Sequence, residues 1–97
     1  MGADRRVKVS GPLETEAMEK LLKGLNIAFV RWNERLWNER WRGWKAGLDI
    51  ELEGREIHLH YAYWGGGHEE RAEAVASLII GALHDMGVLT DAGRWSY

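Results

Sequence analysis

The sequence predicts an α+β fold: a small antiparallel sheet, built on a hairpin of residues 45–53 and 56–64 with shorter strands added, and helices packed on one face. Three observations carry that expectation. Leu48, Ile50 and Leu52 alternate with Asp49, Glu51 and Glu53, and the alternation resumes from Ile57 to Tyr63 after Gly54-Arg55. Apolar residues recur at helical spacing as Ala72, Val75, Ile79, Leu83 and Met86. Gly11-Pro12 and Gly24 bracket a second amphipathic stretch.

The elements follow in chain order. Val7 and Val9 alternate with charged neighbours, which predicts a short strand near 6–9. A helix over 12–23 should place Pro12 in its first turn, Glu14 and Glu16 near the positive end of its dipole, and Met18, Leu21 and Leu22 on one stripe. Gly24 is expected to end it in the left-handed conformation, followed by apolar Leu25. Ile27, Phe29 and Val30 predict a strand near 26–32.

The tetrad Trp-Asn-Glu-Arg then occurs twice, starting at Trp32 and Trp37. A five-residue step turns a helix by about 140° and changes sides on a strand, so the copies are not structural equivalents. A helix capped by Asn33 and ended by Gly43 aligns Trp37, Trp41 and Trp44, and a short helix is the expectation here.

The hairpin carries a definite register. Gly54 at the first central position suits a two-residue type II′ turn, which sets Glu53 opposite Glu56. Leu52 then faces Ile57 and Ile50 faces Leu59 on the apolar side, while Glu51 faces His58 and Asp49 faces His60 on the polar side. The last helix is expected over 68–86, with Glu69 and Glu70 at its start, His84 facing solvent and Gly87-Val88 beyond its end. Residues 88–97 show no periodicity and read as an irregular tail.

Ninety-seven residues fit a single domain, 1–97. The absence of cysteine excludes a disulfide framework and thiol catalysis. A charged start with no apolar stretch behind it, and a most apolar stretch of ten residues at 74–83, interrupted by Ser77 and Gly81, against the 18 or so that a membrane span requires, predict a cytoplasmic protein without membrane contact. Charge is asymmetric: residues 1–45 hold ten Lys/Arg and six Asp/Glu, whereas residues 46–97 hold three and nine. Such separation steers charged partners without dictating fold.

Three functional readings compete. The first is a small non-enzymatic protein-interaction module, an inhibitor or accessory subunit with no cofactor, docking a protein partner or a second copy of itself. Its surface would be Arg35, Trp37, Arg40, Trp41, Arg42 and Trp44, because Trp and Arg dominate interface energetics. The second is a single-stranded nucleic-acid binder stacking bases on the same tryptophans; Glu34, Glu39 and a pI near 6.1 count against it. The third is a metal-dependent enzyme. His58 and His60 project from one strand face with Asp49 and Glu51 across from them, and His68 or Glu69 could fold back to complete the ligand set. The glycine run 65–67 lacks the Lys and Ser/Thr of a phosphate loop and reads as a connector.

Overall fold

The computed structural model describes residues 2–31, 39–62 and 68–97, the side chains of Ala62 and His68 apart. Its elements are β1 (Gly2–Val9), α1 (Thr15–Gly24), β2 (Val30–Arg31), β3 (Arg40–Gly43), β4 (Leu48–Glu53), β5 (Glu56–Ala62), α2 (His68–Asp85) and β6 (Leu89–Asp91). The strands form one open sheet in the order β2-β3-β4-β5-β1-β6, with every neighbouring pair antiparallel. The α+β architecture read from the sequence is therefore the observed one.

The hairpin is the centre of the sheet, and its register is the expected one. Leu52 pairs with Ile57, Ile50 with Leu59, Glu51 with His58, Asp49 with His60 and Glu53 with Glu56. Gly54 takes φ +60° while Arg55 keeps a negative φ, which is the pattern of a type II′ turn. The strict alternation in both strands leaves no other register, because a slip of one residue would send the apolar set to the polar side. Leu48, Ile50, Leu52, Ile57, Leu59 and Tyr61 are all buried.

α2 lies on this apolar face, contacting β4, β5 and β6, and α1 packs beside α2. Ala72, Val75, Ala76, Ile79 and Leu83 of α2 and Met18, Leu21 and Leu22 of α1 join the strand residues in one hydrophobic cluster. Each large side chain buried there contributes roughly 1.5–3 kcal/mol. Met86, expected on the same stripe, is exposed because the helix ends at Asp85 and the chain leaves through Gly87 at φ +75°. None of the described helices is long and apolar enough to cross a membrane.

Several expectations are corrected. β1 is longer than 6–9: it runs from Gly2, because Ala3, Val7 and Val9 supply a buried row and the charged Asp4, Arg6 and Lys8 find the opposite side. α1 starts three residues later than expected, at Thr15, with Glu14 extended ahead of it. Gly24 remains helical, and the left-handed residue is Asn26 at φ +56°, whose N–H donates to the Lys23 carbonyl. An Asn side chain tolerates that conformation almost as well as Gly does. The strand near 26–32 shrinks to Val30–Arg31, with Ile27 and Phe29 packing against the core ahead of it.

The larger corrections concern residues 40–43 and the tail. Arg40–Gly43 is a strand, not the end of a helix. It pairs with β4 so that Trp41 lies opposite Ile50, and the packing of the indole against the apolar face outweighs the helical alignment of Trp37, Trp41 and Trp44. Gly43 is required by close approach, since a Cβ there would sit 2.6 Å from Phe29. The tail is not irregular throughout: Leu89–Asp91 adds an edge strand to β1, and Ser96 bridges to Asp4. The sequence of this edge strand carries too few residues for a period to show. The remainder of the Trp-rich segment and the glycine run, at 32–38 and 63–67, lie outside the described residues.

Candidate functional site

With the helices on the apolar side, the other face of the sheet is a field of charged side chains in three cross-strand rows. Arg40, Glu51, His58 and Arg6 lie side by side across β3, β4, β5 and β1. Arg42, Asp49, His60 and Asp4 form the parallel row, and Glu53, Glu56, Lys8 and Asp91 the third. The alternation that buries the core dictates this surface as well, because Asp49, Glu51, His58 and His60 each sit between two buried residues along their strand.

Within the rows, unlike charges meet. Arg40 forms an ion pair with Glu51. The guanidinium of Arg42 donates from Nε and Nη2 to the two carboxylate oxygens of Asp49, at 3.3 and 3.4 Å. His60 Nδ1 stands 2.8 Å from Asp4 Oδ1. His58 is the hub of the centre: its Nε2 lies 3.1 Å from Glu56 and 3.4 Å from Glu53, and its Nδ1 lies 3.6 Å from Glu51. Carboxylates can only accept, so a protonated ring offers a donor on each side where a neutral one has a single donor. The hydrogen bond with His58 holds the Glu56 carboxyl below its ordinary range, against the opposing effect of burial and with smaller help from the charges of His58, Arg6 and Lys8.

The predicted binding residues separate into three groups. Arg40 and Arg42 are on the open face, paired as described. Trp44, in the turn between β3 and β4, is 75% exposed, and the Arg42 guanidinium stands over its ring at 5.1 Å from the centroid. Trp41 points the opposite way, 2% exposed and packed in the core. Arg35 and Trp37 lie outside the described residues. The structure thus keeps two arginines and one indole together at the β3 end of the face and withdraws Trp41 into the packing.

The predicted metal candidates are also regrouped. His58 and His60 share the face, as their spacing required, but each has its own acidic neighbours. Asp49 is engaged by Arg42 and His60 by Asp4. The side chain of His68 lies outside the described residues. The closest His/carboxylate grouping is instead Glu51, Glu53 and His58, whose potential ligand atoms all lie within 4.8 Å of one another. Glu53 was the residue not singled out from the sequence, although the register placing it beside Glu56 was legible. Arg40 already neutralises Glu51, His58 meets Glu53, and Arg6 and Lys8 act on neighbouring Glu56. This is the pattern of a satisfied ion-pair network on a solvated sheet face.

A shallow depression of about 210 Å³ runs along the middle of the face, floored by parts of Trp41 and Ile50 and walled by Asp4, Arg40, Asp49, Glu51, His58 and His60. On the face as a whole, Asp4, Asp49, Glu51, Glu53, Glu56 and Asp91 outnumber Arg6, Lys8, Arg40 and Arg42, and the acidic residues occupy its centre. The chain matches no protein-family model, no curated protein and no solved structure.

Proposed function

We propose that the protein is a small protein-interaction module that docks through the open face of its sheet, with Trp44 and Arg42 as its anchoring end. The observation that carries this reading is the position of Trp44: a large indole, three-quarters exposed and stacked under Arg42, at the border of a charged face that neither helix covers. Trp and Arg are among the residues enriched at the energetic anchors of protein interfaces. The acidic middle of the face, along Asp49, Glu51, Glu53 and Glu56, fits a partner whose contact surface is basic at its centre. The same acidity disfavours a phosphate backbone, which supports protein over single-stranded nucleic acid.

The test is capture of partners by the tagged full chain from nuclease-treated extract, followed by binding measurements with the purified partner. Trp44→Ala and Arg42→Glu should each weaken a basic protein partner about tenfold or more, corresponding to roughly 1.4 kcal/mol, while Arg55→Ala on the β4–β5 turn leaves it unchanged. A partner that binds both variants as well as it binds the parent would sink this placement. Binding lost on nuclease treatment would favour nucleic acid, and self-association abolished by Trp44→Ala would identify the partner as a second copy.

A further inference from the structure

A second feature lies where the tail meets β1, at the edge of the open face remote from Trp44. A groove of about 590 Å³ is lined by Asp4, Arg5, Arg6, His58, Arg94 and Ser96. Its origin is a mismatch in chain length. Lys8 pairs with Asp91 and Asp4 bridges to Ser96, so that Arg5, Arg6 and Val7 of β1 face one residue more, Ala92 to Trp95, on the tail. The extra residue bows the tail away from a regular ladder.

The bow is fixed at several points. Arg5 Nε donates to the Ala92 carbonyl at 2.9 Å, and the Gly93 N–H donates to Asp91 Oδ1 at 2.9 Å. Gly93 adopts φ +68° against β1, where a Cβ would stand 2.2 Å from the Arg6 carbonyl oxygen, so only glycine fits. Beyond it, Asp4 and Ser96 exchange backbone hydrogen bonds of 3.0 and 2.8 Å. Trp95 packs edge-on against Tyr61 at 4.9 Å between ring centroids and lies under the Arg5 guanidinium at 5.7 Å.

These constraints bring Arg94 to Arg6 at one concavity of an acidic chain, while the Arg5 side chain turns to the other face of the sheet, over Trp95. Arg94 is one of only three Lys/Arg in residues 46–97, and the tail returns it to the basic β1. Among the described residues, neither Arg6 nor Arg94 makes a hydrogen bond or close ion pair; Arg6 acts only at a distance on Glu56. The one acid in the lining, Asp4, is held by His60 at 2.8 Å. Guanidinium groups present rigid forks that match oxyanions bidentately, and two of them in one groove repel each other until an anion intervenes.

We propose that this groove binds the phosphate dianion of a small phosphomonoester, clasped by Arg6 and Arg94 with the Ser96 hydroxyl as a further donor. A dianion answers two guanidinium groups better than a carboxylate does, and the volume lies within the range of small-molecule sites, leaving space for an organic remainder.

The experiment is a titration of the full chain, followed by amide resonances, with inorganic phosphate, glycerol phosphate and acetate at low ionic strength. Glycerol phosphate should saturate a single site, bind at least as tightly as phosphate and about tenfold or more tighter than acetate, and move resonances of residues 4–6 and 93–96. Arg6→Gln and Arg94→Gln should each weaken it about tenfold or more, Arg94→Lys less, and Arg55→Gln not at all. Dispersion of the amide spectrum verifies that each variant is folded, and exposed Arg94 in the tail decides the matter if Arg6→Gln does not fold. Failure to saturate by tens of millimolar, equal binding of acetate, or unchanged affinity in Arg94→Gln overturns the proposal. So does a single-stranded oligonucleotide that moves the same resonances at lower concentration than glycerol phosphate.

Discussion

The two faces of the central sheet are made by the same strands, yet they obey different physics. On one face Leu48, Ile50, Leu52, Ile57, Leu59 and Tyr61 are buried under α2, and their contribution depends on volume and close packing. On the other, Asp49, Glu51, His58 and His60 interact with partners across the strands in partial contact with water, where each pair is worth little. The lesson is that stability resides almost wholly on one face. The other is left to be shaped by the needs of recognition.

The sharpest way to break this comparison is to place a charge on each face at adjacent positions of β5. Leu59 is fully buried, so Leu59→Asp should cost several kcal/mol, on the order of 4 or more, as an unpaired buried charge. His60→Asp should cost about 1 kcal/mol or less, the loss of an exposed pair plus repulsion from Asp4 and Asp49. Denaturant unfolding measures both. Comparable losses would mean that the polar face is covered.

The tryptophans of the β3 end give a second contrast of nearly the same size. Trp41→Ala should destabilise by about 3–5 kcal/mol through the cavity it leaves, whereas Trp44→Ala should stay within about 0.5 kcal/mol of the parent. Equal melting temperatures for the two variants would show that Trp41 does not belong to the core.

Titration separates the faces at opposite ends of the pH scale. Tyr61 is held above its ordinary value of 10.0, chiefly by burial, with Tyr97 and the carboxylates of Glu73 and Glu69 adding to it. A raised folded value means that this contribution is complete below about pH 10 and is lost as the pH rises past it. Glu56 is held below its ordinary value of 4.5, so its contribution is present above that value and is lost as the pH falls through the depressed folded one. Tyr61→Phe should therefore reduce the alkaline loss of stability, and Glu56→Gln the acid loss. Unfolding midpoints measured across the pH range check both, and unchanged profiles would refute them.

The smaller effects lie within the charged rows. A double-mutant cycle on Arg40 and Glu51 should return a coupling of about 0.5–1 kcal/mol. A chelator should leave the melting temperature unchanged, because the apolar cluster alone accounts for the fold. A fall of several degrees would instead make Glu51, Glu53 and His58 a structural metal site.

The turn and register of the hairpin were legible in the sequence because their information is local, in alternation of period two and a glycine at the turn, whereas its first strand, expected from 45, begins at Leu48 because residues 44–47 form the turn from β3. The face on which Glu51, His58 and His60 would lie came with it. α2 was legible for a similar reason, since its buried residues keep one helical stripe from Ala72 to Leu83. The fate of Trp41 was not. Its neighbours satisfy helical spacing and strand alternation equally well, and the choice was made by a partner strand, where Trp41 pairs with Ile50 while Phe29 fills the space above Gly43. The left-handed turn after α1 was likewise decided between Gly24 and Asn26 by where the helix last packs, not by propensity.

By itself, then, the sequence determined which residues alternate, and so the two-faced sheet and its charged surface. Only the tertiary structure decided what lies beside that surface. It turned Trp41 inward while leaving Trp44 out, gathered Glu53 with Glu51 and His58, and brought Arg94 back to Arg5 and Arg6 through a tail pairing of three residues and one bridge. The reason is range. Periodicity is written along the chain, whereas contacts between distant segments arise from packing that no window of neighbouring residues contains.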